Sequence, residues 1–272
     1  MNSYAFTEGS TPLLVSMPHD GILIPEDLAA CMTDHARTTP DTDWHMARLY
    51  DFAAGLGASI IRPYYSRYVI DLNRAPDGKP LYPGASNTEL CPTRCFDESP
   101  IYRDGEEPDA HEVAERRARF WQPYHDRIAE TLAALKVMHG VALLFDAHSI
   151  RSVVPRFFEG KLPDLNLGTA EGASCDTSLQ AALTGALGGA TGYTHVVNGR
   201  FTGGYITRNY GDPANGVHAV QLEQAQCSYM NEDAPYDYRE DLAEGVRPTL
   251  RSLLETMLRW ACLLYTSDAA DE

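Results

Sequence analysis

Positive charge is the first shortage. The 272-residue chain sets 22 Lys and Arg against 38 Asp and Glu, a formal net charge of −16 with a pI near 4.9. That balance argues against a binder of nucleic acid, whose affinity comes from a basic face that releases counterions. It leaves room for a small anionic substrate, because a few arginines in a cleft set the local field. Long apolar runs are also missing: no stretch reaches the ~18–20 residues that would span a bilayer, so no membrane partner is expected. The opening MNSYAFTEGSTP has neither a basic nor an apolar segment of the secretory kind, which points to a cytoplasmic protein. Six cysteines are few for this length, and Cys91 and Cys95 are too far apart for a CxxC pair, so reduced thiols are expected.

Catalytic signatures are equally scarce. There is no GxSxG elbow and no GxxxxGK phosphate loop. His111-Glu112-Val113-Ala114-Glu115 starts like HExxH but carries Glu where the second His belongs, so a zincin helix fails.

Alternating apolar runs and helical patterns are present, and they predict one α/β domain. TPLLVSMPH and VALLFDAHS read as buried strands, and TGYTHVVNG, GGYITRNYG and GVHAVQLEQ as further strands. ASIIRPYYSRYVIDLN supplies one or two more. Residues 41–56 and 109–138 carry helical spacing, the second interrupted at Pro123. Residues 76–108, rich in Pro, Gly, Asn and Asp, read as a long loop of functional use. The expected architecture is a central mixed, mainly parallel sheet flanked by helices, with a site beyond the carboxyl ends of the strands. The domain is expected over residues 1–260. The last segment, 261–272, contains LLYTSDAADE, which resembles translated adapter sequence, and is set aside as a non-native tail. His45, His125 and His139 are expected on helical surfaces.

Four apolar runs stop at, or contain, polar groups that are costly to bury unless paired or metal-bound. These are His19, the pair Asp146 and His148, the pair Asn73 and Arg74, and Glu223. Imidazole is a favoured zinc donor, so His19 and His148 are the first metal candidates. Asp43, at the start of the 41–56 helix, is the third; the alternative is a carboxylate serving free helix N–H groups. Asp146 shares a strand face with His148 and either orients that imidazole or ligates directly. Glu223 is the candidate general base, or else a buried Glu paired with an Arg. Arg74 and Arg208 are candidate clamps for substrate carboxylates.

The segments SMPHDGILIP, DTDWHMARLYDFA, SRYVIDLNRAPD, LYPGASNTELCPTRCFD, LLFDAHSIRSVVPRFFEGKLPDLNLGTAEGASC and GRFTGGYITRNYGDPANGVHAVQLEQAQ together resemble the N-formylglutamate amidohydrolases, over about residues 10–258. The resemblance implies a fold related to the zinc carboxypeptidases and one Zn2+ per chain, with another divalent metal as the alternative. It implies hydrolysis of N-formyl-L-glutamate to formate and L-glutamate, the last step of a histidine degradation route. By similarity His19, His148 and Asp43 hold the metal, Asn73 and Arg74 bind a substrate carboxylate, and Glu223 is the general base. Two departures stand out: no HxxE occurs in the chain, and Asn209 stands where the family is expected to show His. The competing readings are a related metallo-amidohydrolase acting on another N-acyl amino acid, and a non-catalytic binder of acidic amino acids.

Overall fold

The computed structural model describes residues 2–81 and 86–268. The strands are β1 Tyr4–Thr7, β2 Leu13–Ser16, β3 Ser59–Pro63, β4 Ala142–Ile150, β5 Leu165–Gly168, β6 His195–Val197 and β7 Val217–Ala225. The helices are α1 Glu26–Cys31, α2 Met46–Leu49, α3 Phe52–Gly55, α4 Ala110–Arg116, α5 Gln122–His139, α6 Thr177–Gly188, α7 Tyr205–Tyr210 and α8 Glu240–Asp268. The described strands form a seven-stranded sheet in the order β1-β3-β2-β4-β7-β5-β6. The pairings β2–β3, β2–β4, β4–β7 and β5–β6 are parallel, while β1–β3 and β5–β7 are antiparallel. The sheet is therefore mixed and mainly parallel, as the apolar runs predict.

Parallel strands covered on both faces read as unbroken hydrophobic runs, and every residue of β2 and β4 is buried. Side chains still alternate between two cores. Leu13, Val15, Leu143, Phe145, Val220 and Leu222 pack against Leu179, Leu183 and Leu187 of α6 and Leu250, Leu254 and Met257 of α8. Leu14, Leu144 and Ala219 face the other way, onto Tyr124, Ile128 and Leu132 of α5 and Ile206 of α7. Each such side chain removed from water contributes about 1.5–3 kcal/mol. Among the described residues no helix is long and apolar enough to cross a membrane, and all six cysteines are free.

Several expectations are corrected. The 41–56 segment is not one helix but the two single turns α2 and α3. His45 sits at φ 63°, and the Asp43 amide donates to the His19 carbonyl at 3.1 Å, so the chain turns before a helix can start. Asp43 thus lies in a turn, not at a helix start. GGYITRNYG holds helix α7 and not a strand: the Gly204 and Ile206 amides donate to side chains, Gln221 Oε1 and Asn73 Oδ1, instead of to a neighbouring strand. YVIDLN forms buried turns, with Val69 N bonded to the Ser66 carbonyl, so β3 is the one strand of its region. The 109–138 helix is α4 and α5 joined by a π-helical turn, Arg117–Trp121. Pro123 falls in the first turn after it, where its missing N–H leaves least unsatisfied. His125 is buried, at 3% exposure, and not on the surface. Helix α8 runs through 261–268, with Ala261 inside the core; the rest of the presumed tail, 269–272, lies outside the described residues.

Candidate active site and metal centre

The register of β4 on β7 sets Asp146 opposite Gln221 and His148 opposite Glu223. Partners in a parallel pair share a face, here the face of Leu144 and Ala219. His19 lies just beyond the end of β2, which borders β4. The His19 carbonyl bond noted above draws the Asp43 turn to the same place. Three neighbouring parallel strands therefore deliver the site at their carboxyl ends.

His19, Asp43 and His148 converge there, each at most 4% exposed. The two Nδ1 atoms lie 3.2 Å apart. Asp43 Oδ2 is 3.3 Å from His148 Nδ1 and 3.7 Å from His19 Nδ1. The outward nitrogens have carboxylate partners: His19 Nε2 donates to Asp71 Oδ1 at 2.7 Å, and His148 Nε2 to Asp146 Oδ2 at 2.8 Å. Each bond fixes the tautomer that turns Nδ1 inward, as in metal sites where a carboxylate orients the ligating imidazole. Arg67 Nη2 in turn donates to Asp71 Oδ2 at 2.7 Å, with Nη1 3.8 Å from Asp43 Oδ1.

Four buried carboxylates, on Asp43, Asp71, Asp146 and Glu223, thus surround the two imidazoles, and Arg67 is the buried arginine among them. Burial alone would push the Asp43 carboxyl up, but the bonds and charges of His148 and His19 hold it below the usual carboxylate range. Burial works the same way on Asp71, and the charges of His19 and Arg67 overcome it. Burial would strip the proton from His148, yet the Asp146 charge and hydrogen bond raise its pKa well above the ordinary value. At Glu223 burial wins over the His148 charge, and the carboxyl is pushed up to about 8. A cavity this rich in carboxylates holds either imidazolium protons or a cation. Two inward nitrogens and one carboxylate suit a borderline divalent ion such as zinc. Asp43 Oδ1 is buried without a hydrogen-bond partner, so that carboxylate keeps a negative charge that a bound cation would satisfy. The residues present fit the group.

His19 and His148 line a cleft together with Glu223, Asn73 and Arg74. Gln221 Nε2 lies 3.5 Å from Glu223 Oε2; the alternative of a Glu223–Arg ion pair has no counterpart among the described residues. Asn73 Nδ2 is 2.9 Å from His148 Nε2, but that nitrogen gives its proton to Asp146, the charged acceptor. Asn73 is anchored instead by Ile206 N, which donates to its Oδ1 at 2.8 Å. Helix α7 can come this close because residue 204 is glycine: a Cβ there would lie 2.1 Å from Asn73 Nδ2. Arg74 is oriented by the Thr88 hydroxyl at 2.7 Å and the Asn73 carbonyl at 3.1 Å.

Arg208 is not among the described lining residues of the cleft. It stands exposed on α7 and donates to the Gly203 carbonyl and the Thr202 hydroxyl. Asn209, beside it, is exposed as well. Arg200 and Arg67 line the cleft instead. Sequence reasoning missed Asp71, Arg67, Gln221 and Arg200. For Arg67 and Asp71 a signal existed: two opposite charges four residues apart inside an apolar run, which burial obliges to pair.

Residues 11–230 match the N-formylglutamate amidohydrolase family. The chain is 56% identical over 256 residues to an N-formylglutamate deformylase of Pseudomonas aeruginosa, covering 94% of this chain and 96% of the relative. It is 50% identical over 261 residues to an N-formylglutamate deformylase of Pseudomonas putida, covering 96% and 97%. In fold it is similar to the crystal structure of an N-formylglutamate amidohydrolase from Ralstonia eutropha JMP134. The TM-score is 0.82 at 22% identity, over 98% of this chain and 100% of that one.

Proposed function

Since the chain belongs to the N-formylglutamate amidohydrolase family, we propose that it hydrolyses N-formyl-L-glutamate to formate and L-glutamate, as a metal-dependent step that closes a route of histidine degradation. The observation that carries the reading is the convergence of two inward Nδ1 atoms and a buried carboxylate next to Glu223, beside a cleft lined by arginines.

His19, Asp43 and His148 would hold one divalent ion, zinc by preference, with Asp71 and Asp146 orienting the imidazoles. Such an ion supplies Lewis acidity toward the formyl oxygen and lowers the pKa of water. Glu223 accepts the proton of the attacking water and returns it to the departing nitrogen. Its raised pKa suits the first of these transfers, because a carboxylate of higher pKa is a stronger base than an ordinary one and holds the proton until the departing nitrogen takes it. Asn73 and Arg74 hold the carboxylate next to the scissile amide. The small formyl group asks for little room at the ion, and binding energy comes from the carboxylates.

The test is formate release from N-formyl-L-glutamate by metal-replete protein, with a chelated control. Chelator-sensitive release is expected. Glu223→Gln is expected to lower kcat by roughly 10²–10⁴-fold with the fold intact by circular dichroism; near-normal turnover in that variant removes Glu223 from the role. A panel of other N-acyl glutamates and aspartates separates the formyl reading from a wider amidohydrolase.

A further inference from the structure

We propose that Trp121 and His125 are positioning residues: they hold the main chain around Asn73 and Arg74 and so fix this pair against the carboxylate next to the scissile amide. The proposal deepens the hydrolysis described above and rests on it. Asn73 and Arg74 lie in turns, not in a strand, so no sheet neighbour fixes their peptide groups. Side chains that must meet a substrate closely need a backbone held from outside.

Trp121 is the last residue of the π-helical turn, and His125 follows one turn later in α5. The two buried rings stack with centroids 3.6 Å apart. Trp121 Nε1 donates to the Arg74 carbonyl at 3.0 Å, and His125 Nε2 to the Leu72 carbonyl at 2.8 Å. The two bonds therefore fall on the main chain on both sides of Asn73. A carbonyl only accepts, so the Leu72 bond requires the imidazole proton on Nε2. The Tyr210 hydroxyl, 2.9 Å from Nδ1, supplies a donor for the other nitrogen and so favours that tautomer. Tyr210 belongs to α7, the helix whose Ile206 amide holds Asn73 Oδ1. Tyr205, in the same helix, packs on Trp121 and His125 with centroids 5.7 and 5.5 Å away. Two helices thus meet on three consecutive residues. Apolar packing asks only for ring surface at positions 121 and 125, which phenylalanine would supply. It does not ask for two N–H groups one turn apart, both directed at the segment that carries Asn73. Irregular π turns recur at functional sites, and this one ends at the first of the two donors.

The experiment compares wild type with His125→Gln, His125→Leu and Trp121→Phe, by turnover of N-formyl-L-glutamate and by hydrogen exchange read by mass spectrometry. Gln keeps an N–H near the place of Nε2, whereas Leu fills the space without one. His125→Leu and Trp121→Phe should each lower kcat/KM roughly 10–100-fold, chiefly through KM, because the carboxylate contact is misplaced. His125→Gln should stay within about 3-fold of wild type. The Asn73 and Arg74 amides donate to the Asp71 side chain and carbonyl. In His125→Leu and Trp121→Phe they should exchange faster, with β4 and β7 unchanged. Trp121→Phe decides the case if His125→Leu does not fold. If wild type releases no formate but this local gain in exchange is seen, the reaction is misassigned and the hold on the main chain stands. An unchanged KM in Trp121→Phe, an equal loss in His125→Gln and His125→Leu, or faster exchange that extends to β4 and β7 in Trp121→Phe overturns the proposal and leaves the two rings as core packing.

Discussion

His148 and His125 are both buried, at 2% and 3% exposure, on the same side of the sheet, yet their protons behave in opposite ways. His125 lies on the buried face of α5, stacked on Trp121, with Nε2 donating to the Leu72 carbonyl at 2.8 Å and Nδ1 beside the Tyr210 hydroxyl at 2.9 Å. Its direct partners are neutral, burial dominates, and its pKa falls to about 4. His148 touches Asp146 and Asp43, and its pKa rises well above normal in spite of equal burial. Burial makes a histidine a neutral packing group; carboxylate partners turn it into a group ready to hold a cation.

The strongest way to break this contrast is to give His148 and His19 neutral partners. Asp146→Asn and Asp71→Asn remove the charges behind the two imidazoles, and each is expected to weaken divalent-ion binding 10–100-fold. Competition with a chromophoric chelator measures it; unchanged affinity would mean that the carboxylates serve folding alone. A smaller effect is expected at Gly204→Ala. There the added Cβ meets Asn73, and the shift should cost about 1–3 kcal/mol of stability in urea unfolding, with a matching fall in turnover. The smallest effect sharpens the other half of the contrast. The folded pKa of His125, about 4, lies below its ordinary 6.5. Between these values the unfolded chain binds the extra proton, so the contribution is complete above pH 6.5 and is lost as pH falls toward 4. At pH 5.5 about 1 kcal/mol should be gone, and His125→Gln should show a correspondingly shallower acid slope in paired unfolding curves at pH 7.5 and 5.5.

The same contrast explains what was legible in the sequence. The buried parallel strands announce themselves as apolar runs, so β2, β4 and β7 were readable, and with them His19, His148 and Glu223. Charges inside such runs signal a site but not its geometry. Arg67 and Asp71 looked like strand residues because their mutual pairing, which bends the chain into turns, is invisible without the fold. Tyr205–Tyr210 has the aromatic and β-branched composition of a strand; side chains from distant residues 73 and 221 cap its amides and make it a helix. His125 fell on a helical pattern whose buried face was wider than its apolar letters. Arg200 carries no local mark, since only the fold brings it to the cleft.

The register of β4 on β7 has one more consequence, for how chain length can vary. Nearly every residue of both strands is buried, on whichever face it lies, so apolar patterning alone does little to penalise a slip of one position. A single-residue deletion early in β4 would leave a strand that still packs and pairs, but with His148 turned away from Glu223. At the exposed loop residues 103–107, in contrast, length can change without moving either partner. The strand ends act as a ruler for the chemistry, so the pressure against insertions in these strands comes from function before it comes from folding.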